Sequence, residues 1–98
     1  MRLDAQELTA IRSAARRAFG PGAVVRLFGS RVDDARKGGD IDLHVEVEAG
    51  LDEWRARADF ESSVFARIEQ QRIDLVFHRR GDPLRGIDVI AHRDGIPL

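Results

Sequence analysis

The chain has 98 residues, of which 43% are hydrophobic, with no cysteine and with 16 basic side chains against 17 acidic ones. This size and apolar content predict one small globular domain over residues 1–98, and the lack of cysteine excludes disulfides and thiolate metal sites. The even charge balance argues against long nucleic acid as a main partner, because proteins that bind phosphate backbones are usually distinctly basic. No apolar run has the length of a membrane span and no signal-peptide pattern opens the chain, so we expect a cytoplasmic protein.

The first half of the chain predicts a helix followed by two strands. Asp4 and Glu7 form a capping-box pattern, and a Gly-Pro-Gly run at residues 20–22 ends the helix. The apolar face of this helix carries Leu8, Ile11, Ala15, Ala18 and Phe19. Residues 24–28 predict a short strand and residues 29–39 a loop. A second strand follows, in which two sets of residues alternate: Ile41, Leu43, Val45 and Val47 with Asp40, Asp42, His44 and Glu46.

The second half predicts a helix, a third strand and a last short helix. The helical pattern runs from residue 51 or 52 to about residue 71, and its apolar side carries Trp54, Ala58, Phe65 and Ile68, with Phe60 and Val64 beside them. Residues 73–77 predict a strand. Asp82-Pro83 has the form of an N-cap followed by proline, opening a helix that ends near Gly95. The order α-β-β-α-β-α predicts an α/β (α+β) fold, a small mixed sheet with helices packed on it.

Two aspartates in the second strand carry most of the functional information. Asp40 and Asp42 are one residue apart, so they lie on the same face of the strand. Carboxylates are depleted in strands, and two like charges this close repel each other unless solvent or a cation relieves them. A hard cation such as Mg²⁺ binds one or two carboxylates and leaves positions for water and phosphate oxygens. The alternative is an ordinary solvated sheet face.

The Gly29-Ser30 step follows the first strand. If the first two strands pair as an antiparallel hairpin, this step lies beside Asp40 and Asp42. Glycine lets backbone N–H groups approach a phosphate closely and the serine hydroxyl adds a donor, although a glycine here is also compatible with a simple turn. Together the two elements predict a site for the phosphates of a nucleotide and the metal that bridges them, as nucleotidyl transfer requires.

Asp74, in the segment RIDLVFH of the third strand, is a candidate third carboxylate. On a strand next to the two aspartates it would complete a two-metal site. The alternative is a carboxylate on an edge strand that faces water.

The segment LFGSRVDDARKGGDIDLHV resembles the signature of the DNA polymerase β-like nucleotidyltransferase superfamily, a Gly-Ser step followed by a spacer and then Asp-x-Asp. The small size of the chain is similar to that of the minimal nucleotidyltransferase (MNT) branch. The resemblance covers roughly residues 5–80, and the spacer of nine residues, 31–39, is one residue shorter than is usual in the family.

The resemblance implies roles for individual residues. Asp40 and Asp42 would coordinate the catalytic Mg²⁺ ions of a two-metal site, and Asp74 would be the third acidic residue. Gly29 and Ser30 would hold the triphosphate of ATP. Arg31 matches an arginine that is often found after this serine and contacts phosphate.

Other polar residues near the signature are given lesser roles. Arg36 and Lys37 are interpreted as part of a solvated loop. His44 is interpreted as a neighbour of the site rather than a ligand, because Mg²⁺ prefers oxygen. His78 and His92 are interpreted as surface histidines.

The resemblance also implies a partner. Small MNT proteins are commonly paired with a helical protein of the HEPN type, as antitoxin to a ribonuclease toxin, and transfer AMP from ATP to a tyrosine of that partner. The stretch after Phe77 is too short for an acceptor-binding domain. We therefore expect another protein, or a second copy of this chain, to hold the acceptor.

Three functions are compatible with the sequence. The first is a Mg²⁺-dependent adenylyltransferase that acts on a HEPN-type partner. The second is a non-catalytic module that masks a toxin by contact, and the third is a nucleotidyltransferase that acts on a small molecule such as an aminoglycoside. All three carboxylates and the Gly-Ser step are present, whereas a decayed enzyme usually loses at least one of them. The catalytic interpretations are therefore favoured.

Overall fold

The computed structural model of the protein describes residues 3–32 and 40–98, except for the side chains of Ser30 and Val32. In chain order the elements are α1 (Ala5–Phe19), β1 (Val24–Phe28), a 3-10 turn (Gly29–Val32), β2 (Ile41–Val47), α2 (Glu53–Val64), β3 (Ile73–Arg79), α3 (Gly86–Asp94) and β4 (Ile96–Pro97). The predicted α/β (α+β) class is confirmed, and β4 is an addition to the predicted order.

Within the described residues, the strands form one mixed sheet in the order β3-β2-β1-β4. β1 pairs with β2 in an antiparallel arrangement, β2 pairs with β3 in a parallel one, and β4 pairs antiparallel with β1. The C-terminal end of β1 and the N-terminal ends of β2 and β3 therefore lie at the same end of the sheet. This end, which we call the acidic edge, carries the predicted site residues and is distinct from the outer strands β3 and β4.

One face of the sheet is covered by α1 and α2 and forms the hydrophobic core. α1 begins with the predicted capping box, in which the Glu7 N–H donates to Oδ1 of Asp4 (2.7 Å) and the Asp4 N–H donates to Oε1 of Glu7 (3.1 Å). The strands contribute their alternate residues to this core: Val25, Leu27, Ile41, Leu43, Val45, Val47, Ile73, Leu75 and Phe77. The predicted alternation of β2 is thus confirmed for its apolar side chains.

The predicted core face of α2 is wrong in part. The buried residues are Ala56, Phe60 and Val64, spaced four apart, whereas Trp54 is 85% exposed. Two residues along a helix correspond to a rotation of about 200°, so Trp54 lies opposite Ala56. The helix also ends at Val64 rather than near residue 71, because the Arg67 N–H bonds to the Val64 carbonyl (3.1 Å) and the chain turns.

The last helix begins later than predicted. Asp82 is not its N-cap, because Asp82 lies in a turn where its carbonyl accepts a hydrogen bond from Nε2 of His78 (3.0 Å). α3 begins at Gly86, and the side chain of Asp88 accepts the Arg85 N–H (2.7 Å) in place of a cap. β4 follows directly, anchored by the Leu98 N–H to the Val25 carbonyl (2.8 Å).

The second face of the sheet carries the polar side chains of β2 and is partly covered by α3. Asp42, His44 and Glu46 of β2 lie on this face, and Ala91 and Asp88 of α3 are fully buried. Along the outer edge of β3, Nη2 of Arg57 donates to the Leu75 carbonyl (3.3 Å). Nη2 of Arg85 donates to the Phe77 carbonyl (2.6 Å).

Over the described ranges, we find no helix whose length and apolar character would let it cross a membrane.

Candidate active site

The β1–β2 hairpin brings the Gly-Ser step next to the aspartates. Phe28, the last residue of β1, is paired with Asp42, and Gly29 begins the 3-10 turn immediately afterwards. The antiparallel hairpin predicted from the sequence is therefore confirmed.

Gly29 is in close contact with Asp42. Its φ of +76° lies in the left-handed region, which side chains other than glycine rarely adopt. A Cβ atom at this position would overlap Oδ2 of Asp42 and would lie 3.2 Å from its Cγ. The absence of a side chain at Gly29 therefore leaves the space that the Asp42 carboxyl group occupies.

Asp42 and Asp74 are direct partners across the parallel pair of β2 and β3. Paired residues of neighbouring strands lie about 4.8 Å apart and point to the same face. Asp74 was predicted to lie on a strand beside Asp42, and this position is confirmed.

The Asp42 carboxyl group has a perturbed pKa. Burial raises the pKa of Asp42 above its ordinary value of 3.8, and the negative charges of Asp74 and Asp40 raise it further. A hydrogen bond between the Asp42 and Asp74 carboxyl groups acts in the same direction, while the positive charge of Arg72 opposes it. The acids therefore repel one another, as the sequence predicted for neighbouring carboxylates.

Arg72 is the cation closest to this acidic group among the described ion pairs. Its Nε lies 3.2 Å from Oδ1 of Asp74 and 3.6 Å from Oδ2 of Asp40. Hydrogen bonding and charge from Asp74, with a further contribution from Asp40, raise the pKa of the Arg72 guanidinium. Arg72 thus connects the acid on β3 to the one that precedes β2.

The remaining residues of the signature are described only in part. Ser30 and Arg31 lie in the 3-10 turn, and Arg31 is half-buried and has interaction partners. Arg36 and Lys37, together with the rest of the spacer from 33 to 39, lie outside the described residues. Their interpretation as a solvated loop stays a prediction.

His44 lies two residues beyond Asp42 on the same face and is fully buried. Its Nε2 is 2.7 Å from Oδ1 of Asp88 on α3. Asp88 is already compensated by Arg85, whose Nε and Nη2 each lie 3.0 Å from a carboxyl oxygen. Burial lowers the pKa of His44, so we assign it as a neutral imidazole that donates Nε2–H to Asp88. His44 therefore connects the sheet to α3.

His78 corrects a prediction. It was interpreted as a surface histidine, but it is only 7% exposed and stacks on His44 with ring centroids 6.3 Å apart. Within the described part of the chain, Nδ1 of His44 and Nδ1 of His78 are both buried without a hydrogen-bond partner. His92 is exposed as predicted, and its Nε2 lies 3.5 Å from Oε1 of Glu46.

The donor set at the acidic edge suits a hard cation. Asp40, Asp42 and Asp74 supply only carboxylate oxygens, which Mg²⁺ prefers, and one cation, the Arg72 guanidinium, is already held by two of them. In residues 3–32 and 40–98, however, no three or more His, Asp or Glu side chains are arranged around a common metal position. The carboxylates are engaged with one another and with Arg72, so a metal ion would have to compete with these contacts.

Sequence reasoning missed Arg72 and Asp88. A signal for Arg72 was available, because residues 72 and 74 are alternate positions that lie on one side of an extended chain. No comparable signal exists for Asp88, which is buried only because α3 packs back on β2. His78 could have been assigned to the polar face from its spacing of four residues from Asp74.

No protein-family model matches this chain, and no curated protein matches it.

Proposed function

We propose that the protein is a Mg²⁺-dependent nucleotidyltransferase that transfers AMP from ATP to a partner protein of the HEPN type and acts as its antitoxin. The observation that carries the proposal is the register at one sheet edge. Asp42 is paired with Phe28 on one side and with Asp74 on the other, so the turn at Gly29 and two carboxylates lie side by side. A phosphate-binding turn next to paired acids is the arrangement that nucleotidyl transfer needs.

Each residue has a defined task in this proposal. Asp40, Asp42 and Asp74 hold Mg²⁺, and Gly29, Ser30 and Arg31 hold the triphosphate. The bound metal ion supplies neutralisation of phosphate charge. The acceptor oxygen forms a bond to the α-phosphorus as the bond to the pyrophosphate oxygen breaks. The acceptor proton leaves to a base, and pyrophosphate is released.

The exposed apolar surface on α3 supports a protein acceptor over a small molecule. Leu84, just before α3, and Ile87, Val89 and Ile90 of α3 are between 38% and 56% exposed. Leu84, Ile87 and Ile90 follow at intervals of three residues, so the two isoleucines are neighbours on one side of the helix. Contiguous exposed apolar surface is a feature of protein-interaction sites.

Labelled ATP tests the reaction. The protein is incubated with Mg²⁺, cell extract and ATP labelled at either the α- or the γ-phosphate. We expect a protein acceptor to be labelled from α-labelled ATP only, since AMP transfer releases the γ-phosphate. Label from γ-labelled ATP would indicate a kinase instead, and label on a small molecule would favour the aminoglycoside-type alternative.

Matched variants show whether the label depends on the candidate site. Asp42→Asn and Asp74→Asn should lose more than about a hundredfold of the activity, because even outer-shell partners of a metal cost 10–100-fold. Asp94→Asn is the control, since Asp94 pairs with its exposed neighbour Arg93. Equal labelling by all four proteins would place the activity elsewhere in the extract.

The partner is tested separately. Co-expression with a helical protein encoded nearby should give one complex on size exclusion, and Ile90→Lys should weaken it without changing the fold. Elution of two separate proteins at micromolar concentration would count against the partner. A complex that forms with an inactive site would favour the alternative of a toxin-masking module.

A further inference from the structure

The Arg72 guanidinium pairs with two of the carboxylates that are proposed to bind a metal ion. The guanidinium Nε is within 3.6 Å of Asp40 and within 3.2 Å of Asp74, two of the three acids that converge at this edge. The Arg72 side chain is 72% exposed, so its position is set by these charges and not by packing. The backbone has an independent anchor, since the Arg72 carbonyl accepts the Ile41 N–H (3.3 Å).

A metal ion and Arg72 would share the same two carboxylates. Arg72 contacts Oδ2 of Asp40 and Oδ1 of Asp74, and a metal ion bound to these groups would place a second positive charge beside the guanidinium, where the two cations repel each other. Metal binding at these carboxylates therefore favours displacement of Arg72. Because the side chain is exposed and unpacked, its displacement requires no rearrangement of the core.

Once displaced, Arg72 has a second anion within reach. The order β3-β2-β1 puts Arg72, the aspartates and the Gly29 turn in one row. Two strand spacings, about 10 Å, separate the backbone of β3 from that of β1, so phosphates held between them lie within the span of an arginine side chain. The guanidinium fork suits phosphate oxygens as well as carboxylates.

We propose that Arg72 is a tethered counter-cation that holds Asp40 and Asp74 in the metal-free protein, yields them to Mg²⁺, and then contacts the phosphates of the bound nucleotide. This inference rests on the proposed function, because it presumes that Mg²⁺ and a nucleoside triphosphate bind at this edge. Arg72 is in that case a competitor of the metal ion and a ligand of the nucleotide.

The two roles predict opposite effects of one substitution. Arg72→Gln removes the competing charge, so Mg²⁺ alone should bind more tightly, by roughly three- to tenfold for loss of exposed ion pairs. The same variant lacks the phosphate contact, so ATP at saturating Mg²⁺ should bind more weakly by a similar factor. A residue with a merely structural role would move both affinities in the same direction.

Calorimetry measures both affinities for the wild type, Arg72→Gln, Arg72→Lys and Arg93→Gln. Arg72→Lys keeps the charge and should restore weak binding of Mg²⁺ alone, and Arg93→Gln, which breaks an exposed pair with Asp94, should match the wild type. Thermal melts confirm that each variant is folded. Unchanged affinity of Arg72→Gln for Mg²⁺, or tighter binding of ATP, overturns the inference.

Asp42→Asn separates this inference from the proposed function. Suppose that the wild type binds Mg²⁺ and ATP and that Asp42→Asn binds neither. If Arg72→Gln then has the same affinities as the wild type, only the role of Arg72 is wrong. If the wild type binds neither ligand, or if Asp42→Asn binds both as well as the wild type, the proposed function and this inference both fail.

Discussion

A side chain at Gly29 and the carboxyl group of Asp42 cannot occupy the same space. The position of a Cβ atom on Gly29 overlaps Oδ2 of Asp42, and the φ of +76° independently disfavours any other residue. The glycine of the signature therefore has a steric role toward its own aspartate, in addition to the phosphate contact that the resemblance implies.

Gly29→Ala is expected to reduce stability and nucleotide binding together. The left-handed conformation costs alanine about 1–2 kcal/mol, and displacement of the Asp42 carboxyl group adds to this. We expect a loss of more than about 2 kcal/mol in the free energy of unfolding, measured by urea denaturation. Binding of ATP with Mg²⁺, measured by calorimetry, should be lost.

Substitutions at two other glycines separate the conformational cost of a positive φ from the steric contact with Asp42. Gly81 has a φ of +95° but open space around its Cα, so Gly81→Ala should show the conformational cost alone. Gly50 has open space and no left-handed φ, so Gly50→Ala should be neutral or slightly stabilising. If Gly29→Ala is no worse than Gly81→Ala, the steric contact with Asp42 has no energetic importance.

Asp42→Asn is expected to stabilise the metal-free protein. A carboxyl group whose pKa is raised in the folded state contributes stability at low pH that is lost as the pH rises through that pKa, so at pH 7 ionised Asp42 opposes folding. Asparagine keeps the shape, removes one charge, and can donate to Asp74. Thermal melts in EDTA should give a higher midpoint for the variant.

Mg²⁺ with ATP should reverse this order. Ligand at about a hundred times its dissociation constant stabilises a protein by roughly 2.7 kcal/mol, and each kcal/mol moves the midpoint of a domain this small by roughly 4–8 °C. The variant should gain almost nothing. A variant clearly less stable than the wild type in EDTA would identify Asp42 as a structural acceptor, and equal gains from Mg²⁺ and ATP would mean that the ligand site lies elsewhere.

Asp88 is expected to be the most costly carboxylate to remove. Asp88 is fully buried beside His44 and is paired with the half-exposed Arg85, and a hydrogen bond to a charged group typically contributes about 1.5–3 kcal/mol. Asp88→Ala should lose about this amount in urea denaturation, because the His44 Nε2–H is left without an acceptor. Asp94→Ala, which removes the acid of an exposed pair, should change stability by less than about 1 kcal/mol. Similar losses in both variants would contradict the assigned network.

His44 is expected to stay neutral in mildly acidic solution. Burial lowers the pKa of His44 below 6.5, with smaller contributions in the same direction from His92 and Arg26, while Asp88 opposes them. The unfolded chain therefore takes up a proton that the folded protein does not, so this contribution to stability is present above pH 6.5 and is lost as the pH falls through the folded pKa.

An NMR titration that follows the ring resonances of each histidine measures the pKa of His44 separately from those of its neighbours. These neighbours are His78, which stacks on His44, and His92. We expect a pKa for His44 below 6.5. Asp88→Asn should lower it further, because the hydrogen bond and the charge of Asp88 both favour the imidazolium. A pKa above 6.5 in the wild type would mean that His44 and Asp88 form a charged pair.

The first helix, the first three strands and the position of the aspartates could be predicted from the sequence because their signals are local. The apolar alternation of β2 leaves Asp42 on the opposite face, and the hairpin connection brings Gly29 beside it. The position of Asp74 followed from the same reasoning on β3, because an aspartate between apolar neighbours must face away from the core.

The polar face under α3 could not be predicted in the same way. Burial of Asp88 and His78 depends on where α3 packs, and no periodicity within a nine-residue helix specifies a contact 44 residues away in the chain. Trp54 was wrongly predicted to face the core for a related reason. Its hydrophobicity suggested the core, but the spacing of Ala56, Phe60 and Val64 had already defined the buried side of α2.

The arginines along β3 have a consequence for how the protein meets other chains. β3 is an edge strand, and the outward carbonyls of Leu75 and Phe77 are occupied by the guanidinium groups of Arg57 and Arg85. An incoming strand would have to displace both charged groups before it could extend the sheet. The opposite edge, β4, has two residues and contains Pro97, which has no N–H to offer. Both edges of the sheet formed by the described residues therefore disfavour the addition of a strand, and we expect a partner to bind mainly through side chains.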